Sequence, residues 1–260
     1  MASGVFDDAL IKHLWSTEEL RAIFSDANRV QKWYDFEAAL ALEQAELGII
    51  PRAAAQDIAA KAKVGNVDIE AIAAEIRRIK HPLIPALKAV EKLCQDGHGE
   101  YIHFGPTTQD VLDTGVVLQI RDAHAIYLRD MKAIGQALYR LAGAHRATPM
   151  AGRSHGVQAL PITFGHKAAI WLSEMGRNYQ RLKDLESRVF VGGMVGAVGT
   201  QASYGPQAPE LERRLMKRLG LGVADINWQP ARDRFAEYVC VLAIIGQTLG
   251  KIANEIINLE

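Results

Sequence analysis

Cysteine is scarce in this 260-residue chain: Cys94 and Cys240 are the only two, and they lack the C-x-x-C spacing of a zinc or redox site. A disulfide framework is excluded, and because both lie in apolar helical stretches they read as buried free thiols of a reducing compartment. Charge of one sign is also lacking, with 30 Lys+Arg against 30 Asp+Glu. No basic surplus exists to attract a phosphate backbone or an anionic bilayer, so neither nucleic acid nor membrane is expected as a partner. No window approaches ~18 to 20 uninterrupted apolar residues, and the opening MASGVFDDALIKHLW carries acids where a leader peptide carries basic residues. A cytoplasmic protein is the expectation. Prolines number nine, and no run of alternating Val, Ile and Thr is bounded by hairpin turns, which argues against a sheet. The phosphate-binding pattern G-x-x-x-x-G-K-[ST] is absent, as is the helical H-x-x-x-H pair, so no cofactor and no metal are expected.

What remains is helix. Long Ala-, Leu-, Glu- and Arg-rich stretches predict an all-α fold, with a small helical domain over residues 1–111 and a long-helix bundle over 112–260. In the first part, Ser25-Asp26 reads as a cap ahead of a helix ended by Gly48 and Pro51, and two further helices are predicted near 53–63 and 68–79. Residues 95–109, QDGHGEYIHFGPTTQ, form an ordered loop. Beyond it, Leu112, Val116, Ile120, Ala123, Tyr127, Met131, Ile134, Leu138 and Leu141 step by three or four residues and keep one apolar stripe on one face. The same spacing recurs from Leu172 to Val189 and from Phe235 to Leu259, predicting long helices near 112–146, 164–190 and 233–260. Helices of that length suggest contact between subunits, with a monomeric bundle as the alternative.

Chemistry-bearing residues gather in the loops. IHFGPTTQDVLDTG places His103, Thr107, Thr108 and Gln109 where the first long helix begins. Thr107 with Asp110 has capping-box spacing, so these residues could simply start a helix; the same hydroxyls, free N–H groups and helix dipole also suit a carboxylate. MAGRSHGVQALPITFGHK puts Arg153, Ser154 and His155 beside glycines, either as a solvated loop or close to a ligand. VGGMVGAVGTQASYG lacks the strand-to-helix context of a dinucleotide site and reads as a flexible or substrate-lining loop. Gln229 and Arg232, in INWQPARDRFAEY, read from the residues as a helix start with a surface ion pair.

The first three of these segments, with FSDANRVQKWYDFEAALALEQAELGIIP upstream, resemble the fumarase/aspartase superfamily from about Ser16 to Glu260, in particular the branch of adenylosuccinate lyases and 3-carboxy-cis,cis-muconate cycloisomerases. The resemblance implies β-elimination from a succinyl-type adduct with release of fumarate, or cycloisomerisation of a carboxymuconate on the same frame. A non-catalytic helical scaffold is the alternative of a different class. It further implies a small di- or tricarboxylate substrate and a homotetramer. By similarity His155 matches the general acid, His103 the histidine of the first signature loop, and Thr107, Thr108 and Gln109 the carboxylate-binding positions, with Arg153 and Ser154 beside His155. For Gln229 and Arg232 the resemblance implies, instead of a surface ion pair, a polar substrate-facing residue and an Arg-Asp pair at those places. His81, in IKHPLIPALKAV, matches a histidine that in adenylosuccinate lyases is followed by Asp; here Pro82 follows. Leu14 and Trp15 stand where those lyases carry an Arg-Tyr pair for the nucleotide phosphate. The family's Ser-Ser-x-Met-Pro-x-Lys-x-Asn-Pro loop, which carries the serine base, has no counterpart in these residues, and no two serines are adjacent.

Removing a proton next to a carboxylate needs a base within hydrogen-bond reach. Residues 1–260 assayed alone with succinyl adducts and carboxymuconate are therefore expected to show little or no turnover. Full activity of this stretch by itself would place the base within it.

Overall fold

The computed structural model describes residues 4–6 and 8–259. Met1 to Ser3 and Asp7, part of the opening read above for a leader, and Glu260, where the last apolar stripe was read to end, lie outside it. The chain forms two compact units, one of residues 1–123 and 190–231, the other of 124–189 and 232–260.

The first unit opens with α1 (Lys12–Trp15) and α2 (Glu18–Ile23), then α3 (Asp26–Glu46), α4 (Arg52–Lys61), α5 (Ile69–Ile79) and α6 (Ile84–Glu91). Each start has a local cause. Thr17 Oγ1 accepts from the Leu20 N–H, Ser25 Oγ from the Asn28 N–H, and Asp68 Oδ1 from the N–H groups of Glu70 and Ala71, which fills donors the helix ends leave open. Gly48 takes φ 71° to end α3, and Pro51 precedes α4 with φ −61°. The first long helix, α7 (Thr108–Ala144), has 37 residues and so spans about 55 Å; its first sixteen belong to this unit. The unit closes with α9 (Ala208–Leu219). Its core is built on α3, where Tyr34, Phe36 and Leu40 are fully buried, with Ile58 of α4, Leu83 beside α6, and Leu211, Leu215 and Met216 of α9. The buried Tyr34 phenol donates to the Ala86 carbonyl at 2.8 Å, and burial holds its pKa above the ordinary value.

The second unit holds the rest of α7, with α8 (Phe164–Val189) and α10 (Asp233–Ile257). Between α7 and α8 lies a feature that composition did not announce, an antiparallel hairpin of β1 (Pro149–Ser154) and β2 (Val157–Thr163). Ser154 pairs with Val157, so His155 and Gly156 form a two-residue turn, with φ of 52° and 77°. Two left-handed residues in a row make the turn that matches strand twist. The register shifts at Gly152, whose Cβ would stand 2.7 Å from the Leu160 carbonyl. The hairpin is mostly exposed on both faces, so no buried alternation marked it in the sequence.

Helices α8 and α10 are tied by Asn178 Nδ2 donating to Thr248 Oγ1 at 2.9 Å, by Lys251 with Glu174, and by Arg188 Nε with Glu237 at 2.9 Å. Among the described residues α10 is the one helix long and apolar enough to cross a membrane by length and composition. Its polar ties to α8 give it the character of a bundle helix. Val239, Ile244 and Ile257 leave part of its surface apolar and exposed. Both cysteines are free, but the expectation that they are buried is corrected: Cys94 is half-buried and Cys240 is exposed on α10.

Gly165 opens α8 under the end of α7, where an added Cβ would lie 2.6 Å from the carbonyls of Ala142 and His145. Backbone cannot yield as a flexible side chain does, so Gly165→Ala is expected to destabilise the full-length protein by about 1–3 kcal/mol in urea unfolding. An unchanged midpoint would show that this junction is looser than described.

Candidate active site

The residues singled out in the first loop converge on the start of α7, and a buried carboxylate organises them. Asp110, with 0% exposure, accepts five hydrogen bonds. One comes from the Thr107 N–H to Oδ2 at 3.0 Å, the carboxylate half of a capping box, while the Asp110 N–H donates to the Thr107 backbone carbonyl at 3.1 Å rather than to its hydroxyl. The other four reach across the chain: the N–H groups of Val195 and Gly196 at 3.0 Å each, the Tyr204 hydroxyl at 3.2 Å and Gln229 Nε2 at 2.8 Å. The glycine-dense segment is therefore an anchored wall.

Close approach accounts for Gly192 of this segment and for Gly105 of the first loop. A Cβ on Gly192 would meet Met216 Sδ at 2.3 Å, and one on Gly105 would meet the Tyr204 ring at 2.7 Å. Nearby, the Gly193 N–H donates to Thr114 Oγ1 at 3.0 Å and Trp228 Nε1 donates to the Gly192 carbonyl at 3.0 Å. Burial and the neighbouring Asp110 charge hold the Tyr204 phenol well above its ordinary pKa, so it acts as a donor.

Three predicted residues line the same turn. His81 Nδ1 accepts from the N–H groups of Leu83 (3.3 Å) and Ile84 (3.1 Å), capping α6. With Nδ1 the acceptor, the proton of the neutral ring sits on Nε2, which stands 3.3 Å from Thr108 Oγ1. Thr108 then accepts from His81 and keeps its own hydroxyl proton for another partner. His103, with φ 59°, places Nδ1 2.5 Å from Glu37 Oε1 and donates its N–H to Glu37 Oε2 at 3.1 Å. Burial opposes its charge, but the Glu37 hydrogen bond and charge, aided by Asp110, outweigh it, so its pKa lies above 6.5. A raised folded pKa means that this contribution to stability is full below about pH 6.5 and fades as pH rises through the folded value. Gln109 and Gln229 differ from the others, because Gln109 Nε2 donates to Asp113 at 2.7 Å and Gln229 Nε2 is held by Asp110.

The remaining four belong to the second unit. Ser154 closes the hairpin opposite Val157, and His155 forms its exposed tip. Arg153 pairs with Glu255 of α10, which Lys167 of α8 also engages. Arg232 immediately precedes α10, its guanidinium 6.0 Å from the centre of the Phe235 ring. Among the described residues no group of three or more His, Cys, Asp or Glu side chains is placed to hold a metal ion.

A family described as "Lyase" matches residues 15–260. The chain belongs to the fumarase/aspartase superfamily. An N-acetyl-S-(2-succino)cysteine lyase of Dickeya dadantii is 49% identical over the whole chain, which covers 57% of that protein. An adenylosuccinate lyase of Pyrococcus abyssi is 41% identical over 96% of the chain and 56% of its own length. Among solved structures, a 3-carboxy-cis,cis-muconate lactonizing enzyme of Pseudomonas putida superposes with a TM-score of 0.92 at 35% identity, over 95% of this chain and 57% of that one. The chain thus spans little more than half the length of these superfamily members.

Residues that their own segments do not mark also hold this site together. Glu37, Asp110 as a long-range hub and Tyr204 each look ordinary in their own segments, and their roles appear only where residues 66 to 119 positions apart meet. Tyr204→Phe removes one of five donors from a buried carboxylate and is expected to cost about 1–3 kcal/mol in urea unfolding of the full-length protein. A cost near zero would mean that Asp110 is satisfied without it.

Proposed function

We propose that the protein to which this chain belongs is a lyase that cleaves a succinyl adduct by β-elimination and releases fumarate. The observation that carries this reading is the first turn of α7, where the Thr108 hydroxyl, oriented by His81 at 3.3 Å, sits at the positive end of a 37-residue helix. In the reaction a base takes the proton from the carbon next to a carboxylate, that electron pair becomes the carbon–carbon double bond, and the bond to the leaving group breaks with its electrons. Negative charge spreads onto the carboxylate at the transition state, and donors fixed beforehand stabilise it. Thr107 and Thr108 are assigned to that task. His155 is assigned to protonate the departing atom, following the resemblance. The base falls to the family's serine loop.

The S-(2-succino) thioether of N-acetylcysteine is the proposed adduct. Identity is higher to the Dickeya succinocysteine lyase than to the Pyrococcus adenylosuccinate lyase, 49% against 41%. Leu14 and Trp15, both exposed, offer no cation for a nucleotide phosphate. The second reading, carboxymuconate cycloisomerisation, is favoured by the TM-score of 0.92 to the Pseudomonas enzyme. Full-length protein given N-acetyl-S-(2-succino)cysteine, adenylosuccinate or 3-carboxy-cis,cis-muconate separates them: fumarate absorbance with the thioether is expected. Lactone formation would favour the second reading, and no turnover of any would favour a scaffold.

A homotetramer is proposed, in which the Thr107/Thr108 loop of one subunit works with the His155 hairpin of another. The motive is that hairpin itself, whose tip carries His155 while Val157 and Leu160 are 63% and 79% exposed. Light scattering that finds an active monomer would contradict it.

In the full-length enzyme, His155→Asn should lower turnover by ~10² to 10⁴, the range of a lost general acid. Thr108→Val should lower kcat rather than raise KM alone. Near-normal turnover in both variants would mean these are the wrong residues.

A further inference from the structure

Glu37 lies on α3, outside the loops whose residues were assigned roles, yet its side chain is fully buried. Burying a carboxylate is costly unless it is paired or hydrogen-bonded. Both of its oxygens meet one residue: Oε2 accepts the His103 backbone N–H at 3.1 Å, and Oε1 holds Nδ1 at 2.5 Å. His103 adopts φ 59°, which is uncommon for a residue with a side chain. One carboxylate therefore fixes both the backbone conformation and the ring. With Nδ1 engaged, Nε2 on the opposite ring edge is the nitrogen left for a ligand, and the side chain keeps 21% exposure.

The charged and titratable groups facing this ring are Glu37 from α3, Asp110 from α7, and Tyr204, whose phenol donates to Asp110. The Glu37 carboxylate contacts the imidazole and the Asp110 charge adds to its effect, so the local balance favours the imidazolium. We propose that Glu37 is a positioning residue, which holds His103 so that its Nε2–H donates a hydrogen bond to a carboxylate of the substrate. The role in turnover rests on the lyase reading above, whereas the hold on His103 does not.

Three measurements on the full-length protein test it, using Glu37→Gln, which keeps the volume and drops the charge, and Glu37→Asp, which keeps the charge. Imidazole NMR should show the His103 midpoint falling in the Gln variant and partly recovering in the Asp variant. Succinate, used as the probe, should bind the wild type with an affinity that drops as pH rises through that midpoint. In the Gln variant the drop should move to lower pH, leaving binding about tenfold weaker at pH 8 and little changed at pH 6. The alkaline limb of kcat/KM should move with it. An unmoved NMR midpoint, or an equal loss at every pH in a variant that melts like wild type, would overturn the proposal. A wild type that turns over none of the three substrates, while the NMR midpoint and succinate binding shift as described, would overturn the lyase reading and leave this one standing.

Discussion

One buried carboxylate sets the form of the first unit's site. Asp110 is out of contact with water, so its charge must be met by donors, and it meets five from three stretches of chain. No single bond of this set decides the outcome, because each is worth a kilocalorie or a few. Their shared acceptor does. Removing the charge would leave buried N–H groups without partners, which is more costly than the bonds themselves are favourable. The segment 192–205 thereby acquires a fixed shape despite its glycine content, and Gly192, Gly196 and Gly199 serve close packing against Met216, Ser203 and Asn227 more than mobility.

The hub has a consequence for chemistry. Because Asp110 and the Thr107 N–H satisfy one another, the threonine hydroxyls are not needed to start α7. Thr108 turns to His81 instead, and His81 is itself locked by two backbone N–H groups at the start of α6. Rigid elements thus hold the donors in advance, which is the condition for stabilising charge that develops only during reaction. His103 obeys the same logic from the opposite direction, held by a carboxylate buried in α3.

Much of this was legible in the sequence. The long helices were read near 112–146, 164–190 and 233–260 and are found at 108–144, 164–189 and 233–257, because an apolar residue every three or four positions admits few alternatives. The cap at Ser25 and the spacing of Thr107 and Asp110 were visible for the same local reasons. The hairpin was not, since His155-Gly156 is not among the common turn pairs and its strands bury no face. Helix α6 was passed over, its start made by His81 rather than by Ser, Thr, Asp or Asn. Glu37 and Tyr204 were silent for a deeper reason: a pairing across 66 or 94 residues leaves no periodic trace in one sequence.

The central claim is that Asp110 ties Val195 and Gly196 of the glycine-dense segment to the start of α7, beside the bond from the Gly193 N–H to Thr114. Hydrogen exchange of Asp110→Asn in the full-length protein tests it most directly. The expected result is that the Thr107, Val195 and Gly196 amides lose protection together, while amides in the α3 and α4 core keep theirs. Unchanged protection at Val195 and Gly196 would show that the segment is held by other contacts and would contradict the account.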